Sequence, residues 1–126
     1  MMPRQKILLV DDDTDVVRAL NIRLKSFGYD VVVAGDAMAA ISIALNEKPD
    51  LIVLDISLPG GDGFMVMKWL GLLSELALTP VIVVSARDPT IAKQKALDAG
   101  ASAYFQKPID TNRFLLAMRG ALEQAA

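Results

Sequence analysis

Apolar residues along this chain gather into short unbroken runs, separated by longer segments in which they recur at helical spacing. Ile7–Val10, Val31–Ala34, Leu51–Leu54 and Val81–Val84 are the clear runs, and Ala103–Phe105 is a weaker fifth. Runs of this length without polar alternation predict strands buried on both faces, as in a parallel sheet. Each is followed by room for one helix. From Thr14 to Phe27, the residues Val17, Leu20, Leu24 and Phe27 keep helical spacing, and Gly28 suits the position just past a helix end. Ala37 to Asn46 is rich in Ala and Ile, with Pro49 as a stop. Phe64 to about Ser74 is helical by pattern. Asp88-Pro89 reads as an N-cap and first helical residue, opening a helix that ends near Gly100. Asp110 suits the cap of a last helix, on which Leu115, Met118 and Leu122 share a face. Five alternating β-α units predict an α/β fold with a parallel sheet covered by helices on both faces, because crossovers in such sheets are right-handed. A single domain over residues 1–126 is expected, without repeats or linkers.

Composition narrows the chemistry more than the fold. A chain of 126 residues, 53% of them hydrophobic, can bury a sizeable core. The net charge is −2, from 13 basic and 15 acidic residues without a long basic run, so no direct nucleic-acid binding is expected of this segment. No apolar stretch has the length to span a membrane and no signal-peptide pattern precedes the first strand, which gives the cytoplasm as the expected compartment. Cys is absent, which removes disulfides, thiol catalysis and thiolate metal sites. His is absent too, which removes imidazole bases, imidazole metal sites and the Ser-His-Asp triad. Chemistry is left to carboxylates, Lys, hydroxyls and the backbone.

In an open parallel sheet, ligands collect at the carboxyl ends of the strands. The residues that follow the strands are therefore the candidates. Strand one ends in Asp11-Asp12-Asp13, strand three in Asp55, strand four in Ser85-Ala86, and strand five leads to Lys107-Pro108; strand two brings only Gly35-Asp36. Clustered carboxylates without His or Cys form the hard-oxygen environment that Mg²⁺ prefers, with Asp11, Asp12 and Asp55 as ligands. Lys107 can present a point charge to an anionic group, and Ser85 can donate a hydrogen bond to it. Nucleophile, metal, ammonium and hydroxyl are the parts of a phosphoryl-transfer site, and a carboxylate nucleophile gives an aspartyl phosphate.

Leu9-Val10-Asp11-Asp12, the loop from Asp55 through Leu58-Pro59 to Asp62-Gly63, Val84-Ser85-Ala86 and Lys107-Pro108 stand in order over essentially the whole chain. In these motifs it resembles the receiver domain of two-component response regulators, of the chemotaxis-regulator-like kind. The resemblance implies a flavodoxin-like three-layer fold with strand order 2-1-3-4-5. It implies that Asp55 accepts a phosphoryl group from the phosphohistidine of a sensor histidine kinase or phosphotransfer protein. Asp11, Asp12, Asp55 and the backbone carbonyl of Ser57 would bind Mg²⁺, Lys107 would bind the phosphoryl oxygens, and the Lys107-Pro108 bond would be cis. On phosphorylation Ser85 would move in to bond the new oxygens, and Tyr104 would then turn inward. The helix after Pro89 has Ile91 and Leu97 as its chief large apolar residues, so weak attachment is expected there. With strand five and the last helix it would form the output face, for a homodimer or an effector domain. The expected function is a phosphorylated switch rather than an enzyme acting on an outside substrate.

Other readings concern particular residues. Asp13 is expected to cap the first helix, Asp15 to be first-turn charge, and Asp62 and Gly63 to shape the loop and cap the third helix. Ser57 and Arg87 flank the site where side chains admit or exclude water. Met65, Trp69 and Leu72 are expected to broaden the core contact of the third helix; the alternative is an exposed apolar stripe that docks a partner. Ser102-Ala103 replaces the acidic pair common before this Tyr in the large DNA-binding subfamily. A small Mg²⁺-dependent phosphatase of the haloacid-dehalogenase type is the alternative function, although that class wants a second Asp where Ser57 stands. A flavodoxin-like cofactor module lacks its Ser/Thr-rich loop here.

Overall fold

The five apolar runs are the five strands of one parallel sheet in the computed structural model, which describes residues 4–58 and 62–125. The predicted turn at Pro59-Gly60-Gly61 lies outside the described residues. Strands and helices alternate strictly: β1 (Lys6–Val10), α1 (Thr14–Ser26), β2 (Asp30–Ala34), α2 (Ala37–Glu47), β3 (Leu51–Asp55), α3 (Gly63–Leu72), β4 (Val81–Ser85), α4 (Pro89–Asp98), β5 (Ala103–Gln106) and α5 (Thr111–Ala125). The sheet order is β2-β1-β3-β4-β5, as the resemblance implies. No described helix is long and apolar enough to cross a membrane.

Every residue of β3 and β4 is buried, which is why these runs show no alternation. Their side chains still point alternately to two cores. Leu8, Val10, Ile52, Leu54 and Val83 face a cluster that includes Ala40 and Ala44 of α2, Val66 and Leu70 of α3, and Ala92 and Ala96 of α4. Ile7, Leu9, Leu51, Val53, Ile82 and Val84 face Leu20 and Leu24 of α1 and Phe114, Met118 and Leu122 of α5.

Aspartate caps mark the helix starts. Asp13, Asp36, Asp62 and Asp88 each accept a hydrogen bond from the first turn of the helix that follows, and Asp110 accepts one from Arg113 N at 3.2 Å. Such caps contribute about 1 kcal/mol each. Asp36 has this role although its strand end looked unpromising in the sequence. At the other end of α1 the chain turns at Gly28, whose φ of +89° favours glycine.

Three side-chain expectations change. Phe27 lies just past the last turn of α1 and is 52% exposed, so the α1 core face is Leu20 and Leu24, with Val17 half-buried at its margin. On α4, Ile91 is 78% exposed and Leu97 half-buried; the helix seats instead through Ala92 and Ala96, small residues that let it approach the sheet closely. Met65, Trp69 and Leu72 do not broaden the core: they are 44%, 43% and 74% exposed, because α3 packs through Gly63, Val66, Met67 and Leu70 on its opposite side. Trp69→Glu is therefore expected to change the urea-unfolding free energy by less than about 1 kcal/mol. A loss of about 3 kcal/mol or more would return Trp69 to the core.

Candidate functional site

Sheet register brings the candidate residues to one edge. Val10 pairs with Leu54, so Asp11 and Asp55 leave β1 and β3 side by side. Asp55 pairs with Val84, which places Ser85 one step further along β4. Ser85 pairs with Gln106, and Lys107 N donates to the Ser85 carbonyl at 2.7 Å. The Lys107-Pro108 bond is cis, as the resemblance implies.

The side chains converge accordingly. Lys107 Nζ lies 2.8 Å from Asp11 Oδ2 and 3.1 Å from Asp55 Oδ2. Asp11 and Asp55 are largely buried, at 6% and 5% exposure, whereas Asp12 is exposed. Asp11, Asp12 and Asp55 each bring one carboxylate oxygen within 4.8 Å of the others. Burial pushes the Asp11 carboxyl above its ordinary range, although the Lys107 ammonium and the Asp13 N–H pull the other way. Burial also acts to lower the Lys107 pKa, but the adjacent Asp11 and Asp55 carboxylates outweigh that and hold it above the ordinary value. Asp11 Oδ2, despite its short ion-pair distance to Lys107, is buried without a well-directed hydrogen bond. An under-satisfied buried carboxylate oxygen beside two other carboxylates is a donor set suited to a hard divalent cation. An open cavity of about 500 Å³, lined in part by Asp11, Asp12, Thr14, Arg18 and Asn21, gives access to this edge from the α1 side.

The backbone fixes Asp55 from the other side. Ser57 N donates to Asp55 Oδ1 at 2.9 Å, while Ser57 Oγ accepts from Arg87 Nε at 3.1 Å. Gly63 closes the loop: a Cβ there would collide with Ile56 Cα and stand 2.9 Å from the Asp55 carbonyl oxygen. Only glycine lets α3 begin so close to the end of β3.

Ser85 and Tyr104 meet through Arg87 rather than through Asp55. Ser85 is fully buried, and its Oγ accepts from Arg87 N at 3.0 Å. The resemblance implies that Tyr104 turns inward once Ser85 has moved to a modified Asp55. Its ring is already inside, 8% exposed, with its hydroxyl donating to the Arg87 carbonyl at 2.7 Å. The partner that fixes it is a backbone group, which side-chain spacing does not reveal. Arg87 is thus more central than a residue at the margin of the site: main chain and side chain together link β4, β5 and the segment after β3.

Comparison with known proteins gives the same family throughout. Residues 7–119 match the response regulator receiver domain. The transcriptional regulatory protein KdpE of Mycobacterium tuberculosis is 39% identical over 118 residues, covering 94% of this chain and 51% of KdpE. The alkaline phosphatase synthesis transcriptional regulatory protein PhoP of Bacillus subtilis is 41% identical over 104 residues, covering 82% of this chain and 42% of PhoP. The chain thus spans about half the length of these curated relatives. Among solved structures, a response regulator from Chloroflexus aurantiacus superposes with a TM-score of 0.91 at 27% identity, covering 96% of this chain and 99% of that one. A CheY-like receiver domain protein from Methanospirillum hungatei superposes at 0.89 with 28% identity, covering 98% and 97%. The phosphatase and flavodoxin-like cofactor readings give way to this result. With its 2-1-3-4-5 sheet and its acidic carboxyl edge, the chain belongs to the receiver domain family of two-component response regulators.

Proposed function

We propose that Asp55 is the phosphoacceptor of this receiver domain and takes its phosphoryl group from the phosphohistidine of a sensor histidine kinase or phosphotransfer protein. The observation that carries the reading is the convergence of Asp11, Asp12 and Asp55 with the Lys107 ammonium at one sheet edge. In the transfer, an Asp55 carboxylate oxygen attacks phosphorus. The new O–P bond forms as the P–N bond breaks, and the electron pair of that bond returns to the protonated imidazole, which leaves neutral.

Asp11, Asp12, Asp55 and the Ser57 carbonyl would hold Mg²⁺, which when bound neutralises charge on the transferring phosphoryl oxygens. The Ser57 N–H holds Asp55 in one orientation, so the attacking group is positioned before the donor arrives. Lys107 presents its ammonium to the phosphoryl oxygens. Ser85 Oγ accepts from Arg87 N, which leaves its own hydroxyl proton to donate to the new group. The product replaces the single negative charge of the carboxylate with a phosphoryl group of roughly −1.5 to −2 charge, and the α4-β5-α5 face carries the response to a second copy or an effector domain. The domain acts as a switch that assists its own phosphorylation, without turnover of an outside substrate.

The test is incubation with Mg²⁺ and acetyl phosphate. The expected product carries one phosphoryl group, stable to acid and labile to hydroxylamine, and does not form when the metal is chelated beforehand or in Asp55→Asn. Sustained hydrolysis of phosphate esters would overturn this reading in favour of a phosphatase.

A further inference from the structure

Helix α4 has little to hold it in place. Its buried side chains are Ala92 and Ala96, and Ile91 points into solvent. A second attachment runs through an aromatic ring on α3. Lys95 Nζ, from the last turn of α4, lies 4.3 Å from the centroid of Phe64, and the Arg87 guanidinium carbon, from the segment before α4, lies 6.0 Å from it. An ammonium or guanidinium over an aromatic face is attracted by the ring quadrupole.

The ring itself is set by the acceptor side of the site. Phe64 follows Gly63, the residue that touches the end of β3, and Asp62 Oδ1 accepts from Phe64 N at 2.8 Å. The ring is partly buried against the core cluster of that face. Arg87 ties in the same direction through its 3.1 Å hydrogen bond to Ser57 Oγ. Phe64 therefore has one side fixed to the segment after Asp55 and carries on its ring the cations that locate α4.

We propose that Phe64 is a positioning residue that couples the acceptor loop to α4 through its two cation–ring contacts. The consequence for signalling rests on the reading of Asp55 as phosphoacceptor; the coupling itself rests on the geometry of Phe64, Arg87 and Lys95. A shift of the loop after Asp55 moves the ring, and the ring draws Lys95 and α4 with it. The fully buried side chains of α4, Ala92 and Ala96, are small, so little side-chain interlocking opposes that movement.

Hydrogen exchange of the unphosphorylated domain tests the coupling. Phe64→Leu and Lys95→Met are each expected to speed exchange of the α4 amides by about 2–5-fold, with α1 and α5 unchanged. Phe64→Tyr, which keeps the ring, and Lys95→Arg, which keeps the charge, are expected to retain wild-type rates. Lys95→Met is expected to add nothing once Phe64 is Leu. Wild-type α4 exchange in Lys95→Met, or an equal acceleration by Lys95→Met with and without the ring, would overturn the proposal. Should Phe64→Leu loosen the whole domain, the exposed Lys95 pair of variants still decides.

A second arm adds Mg²⁺ and acetyl phosphate and reads phosphoryl content by intact mass. Phe64→Leu is expected to take up phosphate as the wild type does while losing at least half of the phosphorylation-dependent change in α4 exchange. A full wild-type response in that variant would sink the coupling. Failure of the wild-type domain to take up phosphate would instead sink the phosphoacceptor reading, and the unphosphorylated measurement would still judge Phe64.

Discussion

Lys107→Met is expected to lower the unfolding free energy by about 3 kcal/mol at neutral pH and to slow phosphoryl uptake by about 100-fold or more. The Lys107 side chain is 15% exposed and stands within 3.1 Å of two carboxylates that are themselves 5% and 7% exposed. Methionine keeps most of the stem and removes the charge, so Asp11 and Asp55 are left as buried like charges. The sign of the pH dependence follows. Asp11 already binds its proton more tightly in the folded protein than its ordinary value implies, and loss of the ammonium raises it further. A carboxyl whose folded pKa exceeds its unfolded one stabilises the fold below the unfolded pKa and loses that contribution as pH rises through the folded pKa. The deficit of Lys107→Met should therefore be smaller near about pH 4 than at neutrality. Mg²⁺ should restore more stability to the variant than it adds to the wild type, since it supplies the missing positive charge. Urea unfolding at both pH values, with and without Mg²⁺, measures all of this. A deficit indifferent to pH and to Mg²⁺ would mean that the stem matters and the ammonium does not.

Gly63→Ala is expected to cost about 2–3 kcal/mol. The added methyl would run into backbone, Ile56 Cα and the Asp55 carbonyl, and backbone cannot step aside as the end of a flexible side chain can. The start of α3 must move, and the segment that holds Asp55 through Ser57 N moves with it, so phosphoryl uptake should slow as stability falls. Gly71, on the same helix, supplies the control. A Cβ there meets nothing within 4 Å, and Gly71→Ala should stabilise the domain by up to about 1 kcal/mol through helix propensity alone. Equal responses of the two variants in urea unfolding would remove the close approach at Gly63 from the account.

Most of the architecture could be read from the chain because burial on both faces writes itself as unbroken runs. Leu51–Leu54 and Val81–Val84 are central strands, and Asp13, Asp62, Asp88 and Asp110 cap the helices that their positions predict. The acidic edge was legible too, since strand order in a parallel sheet delivers residues as distant as Asp55 and Lys107 to one place. Side-chain direction was harder. Helix α3 carries Phe64, Met65, Val66, Met67, Trp69, Leu70 and Leu72, so it has no polar face against which an apolar face could be recognised. Its inward residues are known only from its seat on the sheet. For α4 the opposite held: large residues drew attention, while Ala92 and Ala96 make the contact. The position of Tyr104 depends on the Arg87 carbonyl, a main-chain atom whose place is set by the fold and not by any local pattern.

The central claim, that Asp55 is the nucleophile, is tested most directly by locating the modified residue. After treatment with acetyl phosphate and Mg²⁺, borohydride reduction converts an aspartyl phosphate to homoserine, and peptide mass spectrometry identifies its position. The expected result is homoserine at position 55 alone, absent without Mg²⁺ and absent in Asp55→Asn. Homoserine at another aspartate of the wild-type chain, or undiminished phosphoryl uptake in Asp55→Asn, would contradict the account.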